Sequence, residues 1–210
     1  MAATVCPAFE HGVAARPLRG EVESGDLHAV IPRPRGVLVA VADGLGHGYE
    51  AAVAARVAMA TLTARADLPL SELVKCCHEA LLKTRGVAIS IASLEWDGNT
   101  MCWLAIGNVA AVRLRANGQG NVDREHILMR NGVVGHRLPL LRAATSTLRR
   151  GDLLIFATDG VREGFECDTL LDLPPQDIAD RILARYGKAT DDALVLVGRW
   201  YGSPMAGEAL

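Results

Sequence analysis

Apolar positions in this chain change period several times, and each change marks an element. The residues from Gly36 to Ala42, GVLVAVA, are apolar without alternation and stop on Asp43. Such a run, rich in β-branched valine, predicts a buried strand. Gly44, Gly46 and Gly48 follow as a tight turn, where glycine accepts positive φ and lets backbone and carboxylate approach a ligand closely. Glu50 to Ala66, EAAVAARVAMATLTARA, is alanine-rich, contains no proline and predicts a helix. After the break at Asp67-Leu68-Pro69, a second helix is predicted from about Ser71 to Thr84. Its positions Leu73, Val74, Cys77, Ala80 and Leu81 fall on one face.

From Gly86 the pattern becomes strand-like. Val87–Glu95, Thr100–Ile106 and Val109–Arg115 are separated by the turn signals Asp97-Gly98-Asn99 and Gly107-Asn108, which predicts consecutive antiparallel strands. Asn117 to Gly120 reads as a further turn, and Val122–Arg130 and Val133-Val134-Gly135 are weaker strand candidates. Leu153–Ala157 is a second apolar run ending near an acid, Asp159. Pro175–Tyr186 predicts a helix with Ile178, Ile182, Leu183 and Tyr186 inward and Gly187 as its stop, and Leu194–Val197 a buried last strand. At the beginning of the chain, Thr4–Phe9 and Val13–Ala15 could start a sheet, and Leu27–Ile31 is a short strand ended by Pro32 and Pro34. This order lacks the strict βαβα alternation of a parallel sheet. The expectation is an α+β fold of antiparallel sheets covered by helices.

Composition adds bounds. The 210 residues show no linker, internal repeat or low-complexity stretch and are read as one domain, 1–210. Hydrophobic residues make up 50% and aromatics only 4%, so the core is aliphatic. A net charge of −2 lacks the basic footprint of a nucleic-acid binder. Between Val112 and Arg150, however, eight arginines face only Asp123 and Glu125. A solvated sheet surface is the favoured reading over a docking face for an acidic or phosphorylated partner. The five cysteines form no CxxC pair, as expected of free thiols in a reducing compartment. The first residues show no secretory signal, and Arg56 and Arg65 interrupt the most apolar helix, so no membrane span is expected. A cytoplasmic protein is the resulting expectation.

The candidate chemistry lies in four acids at strand boundaries: Asp26, Asp43, Asp159 and Asp191. Singly, an Asp-Gly pair is an ordinary turn. Jointly they are less ordinary, because two of them end apolar strands, where an isolated carboxylate is costly unless paired or bound to metal. No lysine or arginine adjoins Asp43, and Arg162 is the nearest to Asp159. Oxygen ligands without a plausible His or Cys set point to magnesium or manganese rather than zinc. Two such ions suit attack on phosphorus.

Five ordered motifs carry a resemblance: SGD at Ser24–Asp26, ADGLGHG at Ala42–Gly48, GN at Gly107-Asn108, GDLLIFATDGVREGF at Gly151–Phe165 and TDDALVLV at Thr190–Val197. Together they resemble the PP2C-type (PPM) metal-dependent serine/threonine phosphatases, within them the compact bacterial sporulation and general-stress group, whose short members GVVGHRLP at Gly132–Pro139 also resembles. The resemblance implies a four-layer α-β-β-α sandwich and two Mn2+ or Mg2+ ions. It assigns Asp43 as the metal-bridging carboxylate, Gly44 as a backbone-carbonyl ligand, Asp159 and Asp191 as further first-metal carboxylates, and Asp26 as the acid near the second metal. Asp191 is ranked ahead of Asp192, a choice that one residue of register would reverse. It further implies one-step attack by a metal-bridging hydroxide on phosphoserine or phosphothreonine. The implied substrates are phosphorylated proteins of a bacterial stressosome or partner-switching pathway, such as STAS-domain scaffolds.

The chain departs from the family in three places. Leu45 stands where many eukaryotic relatives have a histidine, leaving His47 as a turn residue or leaving-group acid. Arg16 and Arg19 lie near, without clearly matching, the expected phosphate-gripping arginine, and no long flap for a third metal is evident. Two rivals follow from the residues. One is a non-catalytic signalling module on the same fold; the other reads Gly44, Gly46 and Gly48 as a dinucleotide fingerprint, against which GxGxG differs from GxGxxG.

Overall fold

The computed structural model describes residues 8–118, 121–167 and 171–202. Its elements are β1 (Phe9–Arg16), β2 (Asp26–Arg33), β3 (Gly36–Gly44), α1 (Tyr49–Ala64), α2 (Leu70–Leu81), β4 (Val87–Glu95), a 3-10 turn (Asp97–Asn99), β5 (Thr100–Ile106), β6 (Ala110–Ala116), β7 (Val122–His126), β8 (Met129–Arg130), β9 (Ala144–Thr147), β10 (Leu153–Ala157), α3 (Pro175–Tyr186) and β11 (Ala193–Trp200). One sheet has the order β1-β11-β10-β6-β7, and the other runs β2-β3-β4-β5-β8, with β9 also on β5.

Three apolar clusters separate four layers. The middle one joins the sheets through Phe9, Val39, Trp103, Phe156, Leu196 and Trp200. A second lies between β3–β5 and the pair α1 and α2, through Leu38, Leu62, Leu73, Cys77 and Ile91. The third packs α3 on the opposite sheet through Ile155, Val195, Ile178 and Ile182. Strands β3, β4, β10 and β11 are covered on both faces, which is why their sequences are apolar without alternation. The alanines of α1 have a related cause. Ala51, Ala54, Ala55 and Ala58 are fully buried, and a side chain on Gly44 would lie 2.1 Å from the Ala51 carbonyl oxygen. Small residues let the helix ride close over the end of β3.

The α+β class and the helix-sheet-sheet-helix layering agree with expectation, with local differences. β1 is one continuous strand rather than two pieces, because its whole length pairs with β11; Thr4 to Pro7 of the first predicted piece lie outside the described residues. Along its outer edge, the side chain of Gln176 in α3 accepts from the Val13 N–H at 3.0 Å and donates to the Val13 carbonyl at 2.9 Å. The predicted strand over 122–130 divides between the sheets, β7 pairing with β6 and β8 with β5. β8 is parallel to its neighbour, an exception to the all-antiparallel expectation. Val133 and Val134 form isolated bridges only. β9, with the polar sequence ATST, was not predicted; it is an edge strand without an apolar face to mark it.

Candidate active site

The five acids Asp26, Asp43, Asp159, Asp191 and Asp192 meet at one end of the sandwich. Asp26 opens β2 and Asp43 lies directly opposite it near the end of β3. Asp159 follows β10, and Asp191-Asp192 precede β11, the two strands being hydrogen-bonded neighbours in the other sheet. Thr158 ties the sheets together. Its hydroxyl accepts from the Leu194 N–H at 2.9 Å and donates to Asp26 Oδ2 at 2.7 Å, all within buried surroundings.

Two glycines in the acidic turns act through closeness rather than through positive φ. A side chain on Gly160 would fall 1.7 Å from the Asp192 carbonyl oxygen, and one on Gly44 would meet Ala51. They allow Asp159 to approach the 191–192 segment and Asp43 to approach α1. Only Gly46 and Gly48 of the first turn have positive φ, 90° and 74°.

Electrostatically the acids act on one another. Burial first, then Asp26, Asp159, Asp191 and Asp192 in turn, raises the Asp43 carboxyl to about 8. Asp26 is raised to about 7, by burial above all; the Thr158 hydrogen bond opposes this, while Asp192, Asp159 and Asp191 reinforce it. Asp191 is also raised, by burial and then by Asp159, with Lys188 among the opposing influences. Among the described residues none of the five carboxylates has an arginine or lysine ion pair.

Asp152 shows the alternative treatment of a buried acid. At 1% exposure it takes two bonds from Arg115, 2.7 and 2.6 Å long, and one from the Arg149 N–H at 2.8 Å. This fold therefore supplies cations to one buried carboxylate and leaves the acids at the sheet end facing each other. An all-oxygen set with uncompensated negative charge fits hard divalent cations. Among the described residues, no three Asp, Glu, His or Cys side chains form a ready-made metal cage. The fit therefore rests on shared charge and donor chemistry.

Asp191 and Asp192 have different surroundings. Asp192 is 4% exposed and both its oxygens accept backbone N–H groups, Leu18 at 2.7 Å and Gly25 at 2.8 Å. It clamps the loop between β1 and β2 beneath the site. Asp191 accepts the Asp192 N–H at 2.9 Å and is only partly buried. Asp192→Ala is thus expected to cost about 2–4 kcal/mol in urea unfolding, since two inward N–H groups lose a charged acceptor. Asp191→Asn is expected to leave that unfolding curve nearly unchanged while weakening manganese binding in a calorimetric titration. The reverse pattern would exchange the two roles.

Three residues at the site carried no assigned role in the sequence reading. Thr158 is one; Asn108, whose amide donates to Asp159 Oδ2 at 2.6 Å, is another. The third is Lys188, whose ammonium donates to the Asp159 carbonyl at 2.5 Å. The GN pair was the only local signal for Asn108. Lys188 gives none, because it reaches Asp159 through the Val161–Gly187 bridge and its own N–H to the Gly160 carbonyl at 2.7 Å. Arg162 turns away to the Arg185 carbonyl. Arg16 bonds the Lys188 carbonyl at 2.5 Å, and His47 pairs with Glu21 at 2.8 Å on the surface.

The two helix-covered sheets form the fold of PP2C phosphatases. The chain belongs to the Stage II sporulation protein E (SpoIIE) family, whose sequence model matches residues 33–201. It is similar in structure to a chain described with the bacterial stressosome as a modular system adapted to control secondary messenger signalling. That chain has 28% identity and a TM-score of 0.82, over 91% of this chain and 99% of that one. RsbX in complex with magnesium superposes with a TM-score of 0.83 at 19% identity, over 95% and 98% of the two chains. The serine/threonine phosphatase PstP/Ppp of Mycobacterium tuberculosis gives 0.72 at 17% identity, over 92% and 99%. A comparison with curated protein sequences returned no match.

Proposed function

We propose that this chain is a metal-dependent protein phosphatase that hydrolyses phosphoserine and phosphothreonine on proteins of a bacterial stress-signalling pathway. The carrying observation is the end-of-sandwich carboxylate set, buried or half-buried and without an arginine or lysine ion pair among the described residues, on a chain of the SpoIIE family. Asp43, Asp159 and Asp191, with the Gly44 carbonyl and Asp26, are the groups proposed to hold two Mn2+ or Mg2+ ions. When bound, such ions supply an acidified water and neutralise charge on the phosphoryl group. The chain's own residues orient that set. Asn108 occupies one oxygen of Asp159, Thr158 holds Asp26, and Asp192 anchors the loop that carries Ser24 and Gly25.

The similarity to a stressosome chain and to RsbX supports a phosphorylated STAS-domain protein as the substrate class. No helix among the described residues is long and apolar enough to cross a membrane; a cytoplasmic location and a single domain over 1–210 complete the proposal. The test is phosphate release from purified phosphorylated STAS-domain proteins with manganese, with magnesium and with a chelator. Metal-dependent release from a defined serine or threonine is the expected result. Absence of release from these proteins and from p-nitrophenyl phosphate alike, with either metal, would sink the proposal.

A further inference from the structure

Beside the carboxylate edge lies a groove of about 580 Å³ that the proposed chemistry does not use. Its apolar side consists of Leu45, Tyr49 and Val53, and its polar side includes Lys83, Arg85 and His136. Leu45 is 37% exposed and Tyr49 is 69% exposed, so the beginning of α1 offers apolar surface to solvent rather than to the core. The groove adjoins the site along the chain, because its lining residue Leu45 follows Gly44 directly and stands two positions from Asp43. At up to 3.8 Å per residue that step is at most about 8 Å.

The cationic wall is braced. The Thr84 hydroxyl donates to the Leu81 carbonyl at 2.9 Å and accepts the Gly86 N–H at 3.0 Å. The Leu45 N–H donates to the Gly86 carbonyl at 3.1 Å, which joins the wall to the acidic turn. Arg85 pairs with Glu50, the acid of the groove, and lies over Gly46, where an added side chain would come 2.6 Å from its Nη1. Lys83 has no ion pair among the described residues. The wall is therefore net positive, with one cation unmatched, next to an apolar floor.

We infer that this groove seats the polypeptide beside the phosphorylated residue of the substrate. An apolar side chain lies on Leu45, Tyr49 and Val53, and an acidic side chain a residue or so away faces Lys83. This rests on the phosphatase reading and adds to it the character of the preferred sequence. An extended peptide advances about 3.3 Å per residue, so a residue two or three positions from the phosphate reaches the groove. Charge opposite in sign to Lys83 speeds encounter and selects among partners.

The test uses the full chain with manganese and three probes: p-nitrophenyl phosphate and two phosphoserine decapeptides with leucine and either glutamate or lysine in the flank. The wild type is expected to turn over the glutamate peptide with kcat/KM roughly tenfold above the lysine peptide, a preference weakened by 0.5 M salt. Lys83→Glu is expected to abolish or invert that preference, and Tyr49→Ala to lower both peptides several-fold. Both variants should hydrolyse p-nitrophenyl phosphate within about twofold of wild type, since neither residue belongs to the carboxylate set. Equal turnover of the two peptides by the wild type, or an unchanged preference in Lys83→Glu, overturns the groove assignment while hydrolysis of the small substrate upholds the phosphatase reading. A wild type inert towards all three probes overturns that reading and the groove with it.

Discussion

Asp43→Asn should lose manganese-dependent phosphatase activity by roughly 10³-fold or more, while the metal-free protein becomes more stable. The two halves of this result have one cause. Asp43 is the carboxylate whose proton affinity rises furthest, to about 8, through burial and the charges of Asp26, Asp159, Asp191 and Asp192. An asparagine is close in shape and carries no charge, so it removes the repulsion together with the charge that would attract a cation. If about 2 kcal/mol of repulsion is relieved, the melting temperature of the metal-free variant should rise by about 4–8 °C. Activity on p-nitrophenyl phosphate and differential scanning calorimetry check the two halves separately. A variant that kept its activity would remove Asp43 from the chemistry. One that lost activity and also melted lower would indicate a structural role for the carboxylate.

The second large effect is a linkage between pH, metal and stability. Asp26 and Asp43 are raised from 3.8 to about 7 and to about 8, so between those limits the folded protein holds protons that the unfolded chain has released. With fewer protons bound in the unfolded state, unfolding free energy must fall as pH rises. These two groups therefore cost the metal-free protein nothing below about pH 4, and their cost grows until it is complete near pH 8. One unit of pKa difference corresponds to about 1.36 kcal/mol, and because the two carboxyls titrate as a pair their contributions are not separately additive. Manganese competes with those protons and should stabilise far more at pH 8 than at pH 5. Melting curves of wild type and the Asp26→Asn, Asp43→Asn double variant, with and without manganese, isolate the effect. A wild-type-minus-variant difference that did not change between pH 5 and pH 8 would contradict it.

The acids were legible as a set because each lies at a strand boundary and two of them end apolar runs, and their purpose was not. Asp152 shows why. It too follows a glycine and precedes an apolar strand, yet it is neutralised by Arg115 from a strand 37 residues away. Sequence spacing places the two kinds of acid in the same context. Only the partners brought by β6 distinguish a structural ion pair from an uncompensated site acid. The arginine-rich segment resolves in the same way: Arg113 and Arg115, largely buried, are spent on Glu125 and Asp152, so this part of it is neither a solvated surface nor open for docking.

By itself, the order of apolar runs determined the helices, the strands buried on both faces and the α+β class, since periodicity follows from which faces a segment must bury. The five ordered motifs likewise pointed to the family. The tertiary structure alone decided that Asp192 clamps a loop, that Gly44 and Gly160 are required for close packing, and that Lys188 and Asn108 attend Asp159. It also decided that the chain crosses between sheets after β7. Each of these depends on contacts between residues far apart in sequence, where direction and distance are set by strand pairing and layer packing, and no local pattern of residue types records them.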